Sequence, residues 1–157
     1  MNHELIAKTI RELLGVMGIA YDNIEILAEE PVRFVVKTGE AGVLIGPRGT
    51  TYAAFSHLVR KIAGKRLGEE EGRFVVDVND YHANLVEAIR KKVSILSERA
   101  RTFKTDVELE PMSPYERLIV HTICQGSRGI KTESKGEGKG RRVVIRYIET
   151  EENTAGV

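Results

Sequence analysis

Gly46-Pro47-Arg48-Gly49 is the segment that most restricts how this chain folds. It separates two helix-forming stretches, residues 40–45 and about 50–64. Two glycines let the backbone turn sharply and approach a ligand with no Cβ in the way. A helix starting at Thr50 or Thr51 sets unpaired N–H groups and a partial positive charge behind the turn. Arg48 adds a full charge at its tip, and the apolar run Val43-Leu44-Ile45 leads into it. Such a turn suits an anionic backbone, but on the motif alone an ordinary cap or turn is the favoured reading.

The flanking periodicities place the turn in a defined order. Residues 3–17 predict an amphipathic helix, with Leu5, Ile6, Ile10, Leu13, Leu14 and Met17 at helical spacing. Residues 23–28 alternate as a strand, with Ile24, Ile26 and Ala28 on one face. Glu29-Glu30-Pro31 turns into a second strand, Val32–Lys37, giving a hairpin. The helix after the glycine turn should bury Tyr52, Phe55, Leu58, Val59 and Ile62, and a charged loop should run from Gly64 to Gly72. Phe74–Val78 reads as a third strand, so the order is α-β-β-α-α-β.

A second set of elements follows. Asn79 or Asp80 is the expected N-cap of a long helix whose apolar positions are Leu85, Ala88, Ile89, Val93 and Leu96. Residues 107–110 are extended, and Pro114 suits the first turn of a helix ending at Gly126. Residues 130–134 and 142–148 read as strands joined by a glycine- and lysine-rich link. The sequence divides into residues 1–79, residues 80–149 and an acidic flexible tail, 150–157.

Net charge is only +1, yet the charges are segregated. Between Gly42 and Gly68 stand Arg48, Arg60, Lys61, Lys65 and Arg66 with no acid. Between Gly126 and Tyr147 seven cations, Lys135, Lys139, Arg141 and Arg142 among them, face Glu133 and Glu137 alone. Such segregation steers a polyanion to chosen faces, although charge runs also serve simply as solvated surface. Arg117 and His121 stand four apart on a predicted helix and therefore share a face. Arginine offers a planar fork to phosphate, and histidine donates a hydrogen bond or stacks on a base. A structural role for the pair remains the alternative.

Arg117-Leu118-Ile119-Val120-His121 resembles the signature of the Arg-x-x-x-His (R-3-H) domain, which binds single-stranded nucleic acid. The block Leu109–Arg117 and the segment Glu137–Ile145 resemble that domain as it occurs in bacterial Jag proteins (SpoIIIJ-associated, KhpB-like). In that family a KH domain comes first, and Phe74–Tyr81 resembles the junction between the two. The likeness spans roughly residues 1–148 and implies an α/β (α+β) chain with a type II KH domain before a small R-3-H domain. By resemblance, Leu44, Ile45, Gly46, Pro47, Arg48, Gly49 and Thr50 would hold RNA in the first domain. Arg117, His121, Lys135, Lys139, Arg141 and Arg142 would hold it in the second. Two departures stand out. The chain is expected to lack the N-terminal Jag domain of many members, and Pro47 occupies a position where relatives often carry a basic or polar residue.

Catalytic signatures are missing from the sequence. His3, His57, His82 and His121 stand at no metal-ligand spacing, and there is no G-x-S-x-G elbow or Walker A loop. Glu116 beside Arg117 imitates a nuclease pair without a second acid cluster, and Cys124 reads as a core thiol. The expectation is therefore a non-enzymatic, cytoplasmic protein with no cofactor, no membrane insertion and no signal peptide. Its partner would be single-stranded RNA, with single-stranded DNA, a protein partner or a homodimer as open alternatives. The rival reading is an adaptor docking on a ribosomal or cell-envelope protein, with RNA incidental.

Overall fold

The computed structural model describes residues 2–68 and 73–150, which form a mixed α/β structure. The chain divides into two compact units, Met1–Asn84 and Leu85–Val157. Residues 151–157 of the predicted tail and residues 69–72 of the predicted loop lie outside the described residues.

The first unit runs α1 (His3–Met17), β1 (Asn23–Leu27), β2 (Val32–Lys37), α2 (Ala41–Ile45), α3 (Thr50–Leu67) and β3 (Phe74–Val78). The sheet order is β1-β2-β3, with β2 antiparallel to β1 and parallel to β3. Period-two alternation sets Phe34, Val36, Phe74, Val76 and Val78 on one face, because Val32 pairs with Phe74, Phe34 with Val76 and Val36 with Val78. Against them the core gathers Ile6, Ile10 and Leu14 of α1 with Tyr52, Phe55 and Val59 of α3. The Tyr52 hydroxyl donates to the Val76 carbonyl at 2.5 Å, which ties α3 to β3.

Three expectations for this unit need correction. Ile26 is 42% exposed and Ala28 lies beyond the strand, because β1 is an edge strand with little laid over it. Leu58 is exposed, since it projects from the flank of α3 rather than along the Tyr52-Phe55-Val59 line. α3 also continues past Gly64 to Leu67, where Gly68 in a positive-φ conformation ends it.

The start of α4 (Tyr81–Phe103) holds a further surprise. Neither Asn79 nor Asp80 caps it, for both have left-handed φ angles, 47° and 62°. The Asn79 side chain instead accepts from Thr38 N and donates to Thr38 O. The capping carboxylate is Asp77, fully buried in β3, which accepts from the main-chain N–H groups of Val78, His82 and Ala83. Arg33 donates to the same carboxylate at 3.0 Å and to Asp80, also at 3.0 Å. Glu29 first, and then Asp77, raise the Arg33 pKa, so its charge is fixed.

The second unit takes up α4, then β4 (Val107–Glu108), α5 (Pro114–Cys124), β5 (Ile130–Lys135) and β6 (Arg142–Tyr147). Its antiparallel sheet has the order β4-β6-β5. Val93 and Ala100 of α4 pack with Leu109, Val120, Cys124, Ile130, Val143 and Ile145. Cys124 is therefore a core thiol as expected, and burial pushes its pKa up.

Candidate functional site

The glycine turn is built under two separate constraints. Gly46 has φ 69° and ψ 179°, a conformation essentially restricted to glycine. A Cβ there would lie 2.1 Å from Thr51 Oγ1, and one on Gly49 would lie 2.5 Å from the Tyr81 hydroxyl. Packing thus forbids a side chain at both positions, quite apart from the backbone angles. Between them Pro47 and Arg48 are pushed out to solvent. Arg48 itself is left-handed, at φ 52°, and no carboxylate pairs with it among the described residues. Thr50 Oγ1 donates to the Pro47 carbonyl at 2.8 Å, and no side chain caps α3. The Thr50 N–H donates to the same carbonyl, so the first amide of α3 is already engaged within the turn.

Leu44 does not line an open apolar groove. Its side chain is completely buried beneath α2, whose five residues expose Val43 instead. Ile45 is half-buried.

The second cluster centres on α5. Ser113 and Glu116 form a reciprocal capping box, in which the Glu116 carboxylate accepts from the Ser113 N–H. β5 alternates, with Ile130, Thr132 and Ser134 turned to the core face and Lys131, Glu133 and Lys135 to solvent. His121 meets this alternation directly. Its Nδ1 lies 2.8 Å from Thr132 Oγ1 and its Nε2 2.9 Å from Ser134 Oγ. The ring is half-buried with both nitrogens engaged by hydroxyls. What it can offer a ligand is part of its ring face.

Arg117 is anchored by a main-chain contact rather than by an acid. Its Nη1 donates to the Met112 carbonyl at 2.9 Å, while the Met112 N–H donates to the Arg141 carbonyl at 3.1 Å. Met112 thereby joins the arginine of α5 to the hairpin end that carries Arg141. Beside them Leu118 is 61% exposed.

The hairpin cations divide into paired and free. Lys135 and Arg142 share Glu108, at 2.9 and 3.3 Å. Their charges, Lys135 first, hold the Glu108 pKa below its ordinary range. Arg141 Nη1 donates to the Gly136 carbonyl at 2.8 Å, and Lys139 stands on the short 3-10 turn Gly138–Gly140. Neither has a carboxylate partner among the described residues. Glu108, Thr132, Ser134 and Met112 escaped the sequence reading. The Thr-x-Ser alternation opposite an R-x-x-x-H helix was the one signal pointing to the hydroxyl pair.

Other chemistry finds little footing. Among the described residues no group of three or more His, Cys, Asp or Glu side chains could hold a metal. No described helix is long and apolar enough to cross a membrane.

Comparison with known proteins agrees with the second cluster. The profile of the R-3-H domain matches residues 84–147, the stretch that holds α5 and its hairpin. The chain is similar to the RNA-binding protein KhpB of Clostridium symbiosum, with 31% identity over 117 residues, 74% of this chain and 52% of the relative. It is also similar to KhpB of Bacillus subtilis (strain 168), with 30% identity over 122 residues, 76% of this chain and 58% of the relative. KhpB of Lactiplantibacillus plantarum shares 26% over 108 residues, 69% of this chain and 33% of the relative. The chain thus carries an R-3-H domain, and it spans about half the length of the first two relatives.

Proposed function

We propose that this protein binds single-stranded RNA without catalysis, in the bacterial cytoplasm, and serves RNA regulation. Residues 1–79 act as a type II KH domain, and residues 80–149 as the R-3-H domain. The observation that carries the reading is the glycine turn. Two positions that exclude a side chain present Arg48, which has no carboxylate partner among the described residues, to solvent at the start of a helix that no side chain caps. That arrangement matches what a phosphate backbone needs: charge, donors and room for close approach. The element order α-β-β-α-α-β and the RNA-binding relatives support it. In the second unit Arg117, Lys139 and Arg141 would meet phosphates, with Lys135 and Arg142 in a weaker role beside Glu108. Two weak sites on one chain raise the effective concentration of the second on a strand held by the first.

The turn is tested by Pro47→Asp with Arg48→Asp. Aspartate tolerates the left-handed angle at position 48, and both residues are exposed, so the fold should survive. Affinity for single-stranded RNA at constant salt should fall about tenfold or more, equivalent to about 1.4 kcal/mol. Unchanged affinity in a fluorescence titration would remove the clamp from the reading.

His121 can be tested by separating its two roles. His121→Phe removes the hydroxyl bonds and keeps an aromatic face, while His121→Ala removes both. Stability should drop in both, by about 1–3 kcal/mol for the orphaned hydroxyls and lost packing. Only His121→Ala should also weaken RNA binding, by about 1–3 kcal/mol for a lost stacking surface. Equal RNA affinity in the two variants, compared on folded protein, would make His121 purely structural.

A further inference from the structure

α3 carries a basic surface that neither the glycine turn nor the R-3-H signature accounts for. Its buried line is Tyr52, Phe55, Ser56, Val59 and Ala63. On the exposed side His57, Arg60, Lys61 and Lys65 follow at spacings of three and four, so they share one face. Together with Gly64 they surround an open concavity. No carboxylate pairs with Arg60, Lys61 or Lys65 among the described residues. This sets them apart from other cations of the chain. Arg66, on the flank toward α1, is tied to Glu12 at 2.7 Å and to Thr9 at 3.1 Å. On the hairpin, Lys135 and Arg142 are held by Glu108, and Arg146 by Glu133 and Asp106. The face of α3 therefore keeps its charge available, at a concave surface that Gly64 helps to line.

We infer that His57, Arg60, Lys61 and Lys65 form a second phosphate-contacting surface for the same single-stranded RNA, continuing the strand's path along α3 from the glycine turn. The inference rests on the RNA-binding reading above. Gly49 and Lys65 lie about 24 Å apart along the axis, at about 1.5 Å per residue. A turn of this kind grips about four nucleotides. A strand of that length fills the turn alone, whereas a longer one reaches the basic face. The contacts would be to phosphate, because lysine and arginine on an open surface supply charge without a base-reading pocket.

The test compares oligouridylates of about four nucleotides with ones several times longer. The proteins are the wild type, the variant Arg60→Gln, Lys61→Gln, Lys65→Gln, and a charge-matched control, Lys8→Gln, Lys91→Gln, Arg99→Gln. The α3 variant should bind the short strand like wild type but lose about tenfold or more of its affinity for the long strand. Its slope of log affinity against log salt should become shallower by about 2, at about 0.7 per lost single-strand contact. The control should stay near wild type. If the α3 variant and the control behave alike on the long strand, the basic face is solvated surface and the inference falls, with the turn untouched. If wild type binds neither strand, the RNA-binding reading falls and takes this inference with it.

Discussion

Gly46→Ala is expected to destabilise the first unit by about 1–3 kcal/mol from backbone strain alone. The clash adds to that, because the new Cβ would stand 2.1 Å from Thr51 Oγ1 and 2.8 Å from Thr51 Cβ. One kcal/mol corresponds to about 4–8 °C of melting temperature in a unit of this size. The two contributions separate cleanly. Adding Thr51→Ala removes the Oγ1 collision and should restore part of the loss, while the strain at φ 69° remains. Urea unfolding followed by circular dichroism measures both. A single variant as stable as wild type would mean that the turn relaxes freely, and that its shape is no rigid frame for Arg48.

Asp77→Ala should cost about 3 kcal/mol, the lower end of the range for breaking a buried ion pair. The lower end applies because Arg33 keeps Glu29 and Asp80 as partners. The loss has two sources. Arg33, only 14% exposed in its side chain, gives up its buried acceptor. The N–H groups of Val78, His82 and Ala83 lose theirs at the same time. Asp77→Asn should recover little, since the amide nitrogen would turn a donor toward donors. Thermal melts of the two variants decide the matter. A loss below about 1 kcal/mol in both would show that water serves these groups as well as the carboxylate does.

The contrast between these two sites explains what the sequence could disclose. Element boundaries followed periodicity closely: α1 at His3–Met17, β2 at Val32–Lys37 and β3 at Phe74–Val78 lie where alternation and helical spacing put them. Ser113 and Pro114 announce α5 by local chemistry, and the capping box is there. The cap of α4 was missed because it is not local. Asp77 sits mid-strand in an apolar run, and only the fold brings it to the N–H groups four and five residues beyond Val78. Leu44 was misplaced for a related reason. Its neighbour Val43 is equally apolar, and no pattern in a five-residue helix says which of the two faces in. For the site, residue types were legible and pairings were not. Lys135 and Arg142 look like free charge in the sequence, and a glutamate on another strand claims both.

That glutamate changes what binding at the hairpin would be. A bare lysine in solution is neutralised by mobile ions, and when phosphate arrives those ions gain entropy. Glu108 is a counterion that cannot leave. A phosphate reaching Lys135 and Arg142 would have to displace or crowd a tethered carboxylate, with no ion set free to the bulk in exchange. Such contacts would form part of an exchange of partners, low in net gain and muted in salt response. This end of the sheet is then a self-buffered surface: silent toward polyanions at large, and responsive to one already held close by other contacts.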